Sequence, residues 1–347
     1  HNRVAVTMST QAISLVALGR DAEAIPLYQA ANERIAANLG PGHIDVASGQ
    51  YNLGGMEMRR GNPAVARQHF DRALEIWEQA LGPTHTRVAA AWFGLAWVEE
   101  EEDDLDAAQT AYERAVAIWE AHPDIEAGNF AAALNNLALL YARQGDPRRA
   151  LTMLERSARV EADTHGREHP AYAQALGTTA KIHLMLGESQ RAEALAREAA
   201  QQLRQTLGPT HAKLASVLET LAEALRRLDR AAEAEPLLNE VLAIAGDDPQ
   251  FLGTRARLAL VRIDRGDLTG ATAALDAMPT GADARAEMSP GVRAAVDFAT
   301  ARLSTDPQQR QQLAGRAIAA LEQAGTDAPV PVEEVQHWLE TSHAPRP

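Results

Sequence analysis

The feature that most constrains this chain is a long internal repeat. A turn-like segment followed by a helical pattern recurs with a 42-residue period, beginning at Gly19, Gly61, Asp103, Gly145, Gly187 and Asp229. A seventh begins 37 residues later, at Gly266. Five equal spacings do not arise by chance, and a fixed period of roughly 20 to 50 residues is typical of repeat architectures. We therefore expect one array of like units, although 347 residues would otherwise suggest about two globular domains.

Small residues flank every turn. Seven positions before it stand Ala12, Gly54, Ala96, Ala138, Ala180, Ala222 and Ala259. Five positions after it stand Ala24, Ala66, Ala108, Ala150, Ala192, Ala234 and Ala271. Two helices approach closely only where side chains are small, and Gly or Asp at the turn tolerates a left-handed backbone. The pattern predicts helical hairpins with these small residues in the core.

The repeat resembles a known family. Residues 24–47, 66–89 and 192–215 each combine a long second helix with an LGPxH-type loop, and LNNLALLYARQGDPRRA (134–150) supplies a first helix and turn. These segments resemble the tetratricopeptide repeat (TPR) family, in particular its kinesin-light-chain-like subclass. The basic unit of that family is about 34 residues, so the extra residues here fall in the second helix and the loop.

The resemblance implies an all-α fold, a right-handed superhelical solenoid of seven to eight TPR hairpins with a C-terminal capping helix. We expect six 42-residue hairpins over residues 1–245 and two shorter, degenerate hairpins over 246–324. Residues 325–347 are expected to form the terminal capping helix and a tail, because the ends of solenoids need a capping surface.

Composition excludes several functional classes. Forty-seven acidic against 33 basic residues give a formal charge of −14, which opposes nucleic acid as a partner. Cysteine is absent, so there is no thiolate metal site or Cys nucleophile. No apolar run approaches the roughly 18 residues of a membrane span, so we expect no membrane insertion by this segment.

One apparent zinc motif has a simpler explanation in the repeat. His165 and His169 fit the HxxEH spacing of some zinc peptidases. However, the same loop position holds His43, His85, His169 and His211. We favour a structural role for this histidine, in starting the next helix or in satisfying a loop carbonyl, with a zinc site as the alternative. No catalytic motif is found, and we expect no enzymatic activity, no cofactor and no metal.

An acidic run covers Glu99 to Asp104. It spans the predicted end of one helix and the following turn. We favour a solvated face, with recognition of a basic peptide or of calcium as alternatives. The run lacks the Gly and the alternating oxygen ligands of a calcium loop.

The resemblance also implies a binding groove, because the first helix of each hairpin lines the concave surface. This places nine residues in a peptide-binding groove: Tyr51, Asn52, Arg59, Phe93, Trp97, Asn135, Asn136, Arg143 and Lys181. Amides can bind an extended peptide backbone, and aromatic residues dominate interface hot spots. The cations would prefer a ligand with acidic flanks. For Phe93 and Trp97 the alternative is packing between repeats.

The sequence therefore predicts a protein–protein interaction scaffold that binds a peptide or an extended partner segment in the groove. The alternative is a sensory or regulatory domain of a larger bacterial signalling protein, such as a membrane-anchored Ser/Thr kinase acting in cis. The start at His1 and the absence of a signal peptide fit a piece of a longer chain. The expected location is cytoplasmic by default and extracytoplasmic for a membrane sensor. Self-association is a third alternative.

Overall fold

The computed structural model describes residues 2–122, 127–246, 251–279, 281–324 and 330–342. All regular secondary structure within these ranges is helical. The chain separates into two compact units. The first unit comprises His1–Gln144 with Arg159–Thr164, and the second comprises Gly145–Ala158 with His165–Pro347.

The helices follow the predicted repeat closely. Over residues 2–143 they are α1 (Asn2–Ala17), α2 (Asp21–Leu39), α3 (Ile44–Arg59), α4 (Pro63–Leu81), α5 (Thr86–Glu101), α6 (Leu105–Glu120) and α7 (Ala127–Arg143). Helix α8 (Pro147–His165) contributes residues to both units. The remaining helices are α9 (Pro170–Met185), α10 (Ser189–Leu207), α11 (Ala212–Arg227), α12 (Ala231–Ala245), α13 (Leu252–Asp264), α14 (Leu268–Asp276), α15 (Ala282–Glu287), α16 (Pro290–Leu303), α17 (Pro307–Ala324) and α18 (Val332–Ser342).

Consecutive helices pair as hairpins within each unit. In the first unit α1 packs on α2, α3 on α4 and α5 on α6. In the second unit the pairs are α9 with α10, α11 with α12, α13 with α14, and α16 with α17. All seven predicted turn residues have a left-handed backbone, with φ between 59° at Asp103 and 83° at Gly145. The predicted left-handed turns are thus confirmed, including the two positions where Asp replaces Gly.

The core lies along the seam between paired helices. Every alanine predicted to flank a turn is at most 1% exposed, so the small-residue prediction is confirmed. Gly54 shows why size matters, because a Cβ there would lie 2.7 Å from the ring of Phe70. Larger side chains fill the space around these close approaches, with Phe70, Tyr112 and Trp119 among the largest that are fully buried.

The recurring loop histidine begins the next helix, as predicted. The Nδ1 atoms of His43, His85, His169 and His211 each accept a hydrogen bond from the backbone N–H two residues on, at 3.1 to 3.3 Å. In each case the histidine is the N-cap of the helix that follows. A side-chain acceptor at this position satisfies one of the unpaired N–H groups of the first helical turn.

The C-terminal helix α18 is held by apolar and ionic contacts. Val335 is fully buried, and the indole of Trp338 meets the Phe298 ring edge-on at 5.6 Å. Glu334 pairs with Arg226 of α11 at 2.6 Å. Residues 325–329 and 343–347 of the predicted terminal segment lie outside the described residues.

Candidate functional site

A cavity of about 380 Å³ opens between α1, α3 and α5 in the first unit. These are the first helices of three consecutive hairpins. One side chain of α4, Phe70, also lines the space. We call this space the groove cavity. Its lining residues are Ile13, Val16, Tyr51, Asn52, Gly55, Met56, Arg59, Phe70, Phe93, Gly94 and Trp97.

Five of the nine predicted groove residues line this cavity. They are Tyr51, Asn52, Arg59, Phe93 and Trp97. Asn135, Asn136 and Arg143 lie on α7 of the same unit but are not among the lining residues. Lys181 lies on α9 in the second unit and is half-buried.

The structure supplies lining residues that the sequence-based set omitted. Ile13, Gly55 and Trp97 occupy one position of the 42-residue register on successive hairpins, and all three line the cavity. The repeat register already indicates Gly55, and applying it one repeat earlier would have found Ile13. Phe70 gave no such signal, because it comes from a second helix.

The aromatic residues of the groove cavity also belong to the core. The Tyr51 ring lies 5.6 Å from Phe70 and 5.8 Å from Trp77. One repeat later, the Phe93 ring takes the same place, 5.8 Å from Tyr112 and 6.1 Å from Trp119. Phe93 therefore packs between helices and also lines the cavity. Trp97 is 36% exposed and Ile13 is 53% exposed, so both present free apolar surface to the cavity.

Each asparagine of the predicted pair is held by a tyrosine. Asn52 Nδ2–H donates to the Tyr28 hydroxyl at 2.6 Å, and Asn136 Nδ2–H donates to the Tyr112 hydroxyl at 3.3 Å. Burial raises the pKa of both tyrosines, so the hydroxyls stay protonated. Tyr112 donates its own proton to Glu100 at 2.5 Å. With one amide N–H fixed in this way, Asn52 stands in the cavity with a set orientation.

The intervening repeat replaces this pair with Phe70 and Gly94. Phe70 has no hydroxyl to offer, and a Cβ at position 94 would lie 2.6 Å from its ring. Asparagine therefore occurs where the facing aromatic residue is a tyrosine, and glycine occurs where it is a phenylalanine. This explains why Asn52 and Asn136 are two repeats apart. Tyr28 and Tyr112 show the same spacing in the sequence.

Two of the three predicted cations, Arg59 and Arg143, are engaged in ion pairs. Arg59 lies 3.3 Å from Asp21. Arg143 lies 3.1 Å from Asp103 and 3.4 Å from Glu100. These pairs partly neutralise the positive charge that the sequence suggested for the groove.

The acidic run is tied to neighbouring helices instead of forming a purely solvated face. Arg67 of α4 binds Glu99 at 2.5 Å and Glu102 at 2.8 Å. Hydrogen bonds to Glu99 and Glu102 keep the pKa of Arg67 above its ordinary value. Carboxylates of the run therefore serve as ion-pair partners between successive repeats.

The two histidines of the HxxEH motif both lie in the second unit. The imidazole rings of His165 and His169 stack with centroids 4.5 Å apart. His169 already uses Nδ1 to cap α9, so only its Nε2 could serve as a ligand.

The fold and the groove cavity define a helical-hairpin repeat protein. A family model described as tetratricopeptide repeat matches residues 45–121, 129–205 and 190–247. These segments span more than half of the chain, and the chain belongs to the tetratricopeptide repeat family. Proteins of this family are generally scaffolds for protein–protein interaction rather than enzymes, and they use the surface formed by successive repeats.

Solved structures support the same fold. The chain is similar to BtubC (BKLC) from P. vanneervenii, with 21% identity and a TM-score of 0.53 over 62% of this chain and 87% of that one. It is also similar to the apo form of RapI, with 12% identity and a TM-score of 0.66 over 92% and 87%. A signal-transduction ATPase of Pyrococcus horikoshii with a tetratricopeptide repeat sensor gives 14% identity and a TM-score of 0.62, over 77% of this chain and 40% of that chain.

A search of curated proteins returned no significant match. Among the helices of the described ranges, none combines the length and the apolar character needed to cross a membrane.

Proposed function

We propose that the groove cavity binds a partner protein through an extended peptide segment. The observation that carries this proposal is the combination of Trp97, Phe93 and Asn52 around one open space of about 380 Å³. Aromatic walls supply affinity for an apolar anchor, and an oriented amide supplies a hydrogen-bonding site for peptide backbone.

The anchor side chain of the peptide enters beside Gly55, which has the smallest side chain at its position of the 42-residue register. Gly55 lies between Ile13 and Trp97 in that register, and a Cβ built on Gly55 meets nothing within 4 Å. A large apolar side chain of the peptide fits there against the exposed indole. Asn52 Oδ1 then accepts a backbone N–H of the peptide, because one of its own N–H groups is held by Tyr28.

An acidic residue flanking the anchor would bind Arg59. The guanidinium makes a single 3.3 Å contact with Asp21, so further N–H groups of its fork can serve a ligand carboxylate. Because Asp21 already supplies one negative charge, we expect acidic flanks to tune affinity and not to dominate it.

A random-peptide library displayed on phage, selected on the immobilised protein, tests the proposal. A selected peptide would be synthesised and titrated by calorimetry against wild type and Gly55→Leu. We expect Gly55→Leu, which fills the open space, to weaken binding by about tenfold or more. The matched control is Gly315→Leu on α17, where a Cβ likewise meets nothing within 4 Å.

Two outcomes would contradict the proposal. One is a selection that enriches no peptide. The other is a peptide whose affinity is equal for wild type and Gly55→Leu, because its site would then lie elsewhere on the molecule. Gly315→Leu should bind like wild type, which shows that a helical Gly→Leu change does not itself abolish binding.

As a second candidate we propose that these repeats regulate a larger signalling protein, including one with a kinase domain in cis. The description of the P. horikoshii neighbour as having a tetratricopeptide repeat sensor motivates this. The coding sequence upstream of His1 decides it: a hydrophobic span preceded by kinase motifs supports the idea, and an adjacent start codon removes it.

A further inference from the structure

A second cavity lies in the first unit, between α2, α3 and α4. Its volume is about 430 Å³, within the range of small-molecule sites. Helix α3 contributes Val46, Gln50 and Leu53 to this space, from a different face than the one that lines the groove cavity. We call it the α2–α4 pocket.

Three polar residues of this pocket break the apolar register of the repeats. Asn32 stands where the other five repeats have Leu74, Val116, Ala158, Ala200 and Leu242. Gln50 stands where they have Met8, Trp92, Leu134, Leu176 and Leu218. His69 stands where they have Leu27, Ala111, Met153, Leu195 and Leu237. All three exceptions line this one pocket, so a single structural cause is required.

The side-chain amide of Asn32 is buried without a hydrogen-bond partner for its oxygen. It is only 4% exposed, and its Oδ1 has no hydrogen-bond partner. Gly49 makes room for it, since a Cβ at that position would collide with Asn32 Oδ1. Burying an unpaired amide oxygen is unfavourable, because its hydrogen bond to water is lost and not replaced. An apolar residue at position 32, as in the other repeats, would avoid this cost.

Gln50 and His69 complete an uncharged hydrogen-bonding wall. His69 Nδ1 lies 2.6 Å from Gln50 Oε1. Burial lowers the pKa of His69, although Glu57 opposes the shift, so the ring is neutral near pH 7. In the tautomer that donates from Nδ1, the Nε2 atom is an acceptor. The wall thus offers the Gln50 NH₂ as donor and His69 Nε2 as acceptor. Asn32 Oδ1 lies against Gly49 with almost no accessible surface, and it adds a second acceptor when the amide turns towards the pocket.

The next hairpin shows what size of group this space accepts. Between α4, α5 and α6 the equivalent of Gln50 is Trp92, which packs with Leu74 against the apolar core. The guanidinium of Arg114 lies over the Trp92 ring at 4.4 Å from its centroid. Arg72 is the equivalent of Arg114 and lines the α2–α4 pocket. The pocket is therefore the place of an indole ring, with the stacking arginine kept and the ring removed.

We propose that the α2–α4 pocket binds an uncharged planar heteroaromatic ring whose edge carries N–H and C=O groups, as in a nucleobase or a carboxamide ring. The ring occupies the place of Trp92 and stacks on Arg72, as arginine does on aromatic faces. The Asn32 amide turns from Gly49 towards the ring, so that a ring N–H donates to Asn32 Oδ1, and a ring carbonyl accepts from the Gln50 amide. The inference does not depend on peptide binding in the groove cavity.

Uracil is the test probe, with 1,3-dimethyluracil as its matched control because methylation removes both N–H groups and keeps the ring. Both would be titrated into the ¹⁵N-labelled full chain and followed by amide chemical shifts. We expect saturable shifts at Asn32, Gln50 and neighbouring amides with uracil, and at least tenfold weaker binding of 1,3-dimethyluracil.

A repacked variant supplies the protein control. Asn32→Leu combined with Gln50→Trp and His69→Ala rebuilds the packing of the next hairpin, and it should fold and lose uracil binding. The single variant Asn32→Leu, which removes the acceptor alone, should lose at least tenfold in affinity. Gly55→Leu in the groove cavity should leave uracil binding unchanged.

Three results would overturn the proposal. The first is an absence of saturable shifts with uracil at tens of millimolar, which would leave ordered water as the occupant of the pocket. The second is equal binding of uracil and 1,3-dimethyluracil. The third is uracil binding that persists in Asn32→Leu.

Discussion

At the scale of single residues, glycines determine where helices touch and where they leave room. Gly54 and Gly94 admit the Phe70 ring from either side, whereas Gly55 opens onto the groove cavity. The sequence predicted the first of these from its register beside the turn. It could not predict Gly94, because the need for glycine there depends on the partner side chain, Phe70, and not on the repeat.

Replacing Gly94 by alanine should destabilise the protein, whereas replacing Gly55 by alanine should stabilise it. Gly94→Ala places a Cβ 2.6 Å from the Phe70 ring, and such overpacking costs about 1–3 kcal/mol. Gly55→Ala meets open space, and alanine is favoured over glycine in a helix by up to about 1 kcal/mol. Urea denaturation of both variants measures this, and equal stability of the two proteins would contradict the contact with Phe70.

The asparagines show the limit of reasoning from spacing. Their separation by two whole repeats correctly indicated that Asn52 and Asn136 are equivalent, but it gave no partner. The structure pairs each with a tyrosine of the preceding hairpin, 24 residues earlier. A repeat register predicts direction, whereas a hydrogen bond depends on the identity of one facing side chain.

At the scale of helices, the sequence was most informative where a local device recurs. The left-handed turns and the histidine caps were both predicted, because each depends on a few consecutive residues that repeat with the period. The ion pairs of the acidic run were missed for the opposite reason. Arg67 and Glu99 come from different hairpins, 32 residues apart, and no local pattern joins them.

The histidine cap can be removed and restored. His85→Ala deletes the acceptor for the Arg87 N–H at the start of α5, and loss of an N-cap typically costs about 1 kcal/mol. His85→Asn keeps an acceptor at the cap and should recover most of the loss. Chemical denaturation compares the three proteins, and an unchanged His85→Ala would show that the cap contributes nothing to stability.

At the scale of the whole molecule, distant segments of the second unit meet at one buried arginine. Arg226 of α11 binds Glu223 at 3.0 Å, Asp264 at 3.3 Å and Glu334 of α18 at 2.6 Å. Glu334 is 108 residues away in sequence. The sequence predicted a terminal helix but not its ion pair with α11. A contact between residues so far apart in sequence produces no periodic pattern.

This cluster predicts an acid-sensitive second unit. Burial would raise the pKa of Glu223, but Arg226 and Arg227 outweigh it and lower the pKa from 4.5 to about 2. Glu223 thus contributes stability that is present above pH 4.5 and is lost as the pH falls towards 2, because the unfolded chain binds the proton first. The loss is on the order of 3 kcal/mol.

Trp338 lies in the second unit and reports on it. With 5-fluorotryptophan incorporated, its ¹⁹F resonance would be followed through urea unfolding between pH 5 and the acid limit. We expect Glu223→Gln to flatten the pH dependence, whereas Glu240→Gln, which breaks the more exposed pair with Arg204, should retain it. The same slope in Glu223→Gln and wild type would refute the role of Glu223.

The alternation of facing pairs has a consequence for how such a chain can change length. Tyr28 faces Asn52, Phe70 faces Gly94, and Tyr112 faces Asn136. Loss of a single repeat by unequal recombination would set Tyr28 against Gly94, or Phe70 against Asn136, and either junction is mismatched. Loss of two repeats together would set Tyr28 against Asn136 and restore a matched junction. In this unit, an insertion or deletion therefore preserves matched facing pairs only when it adds or removes two repeats together.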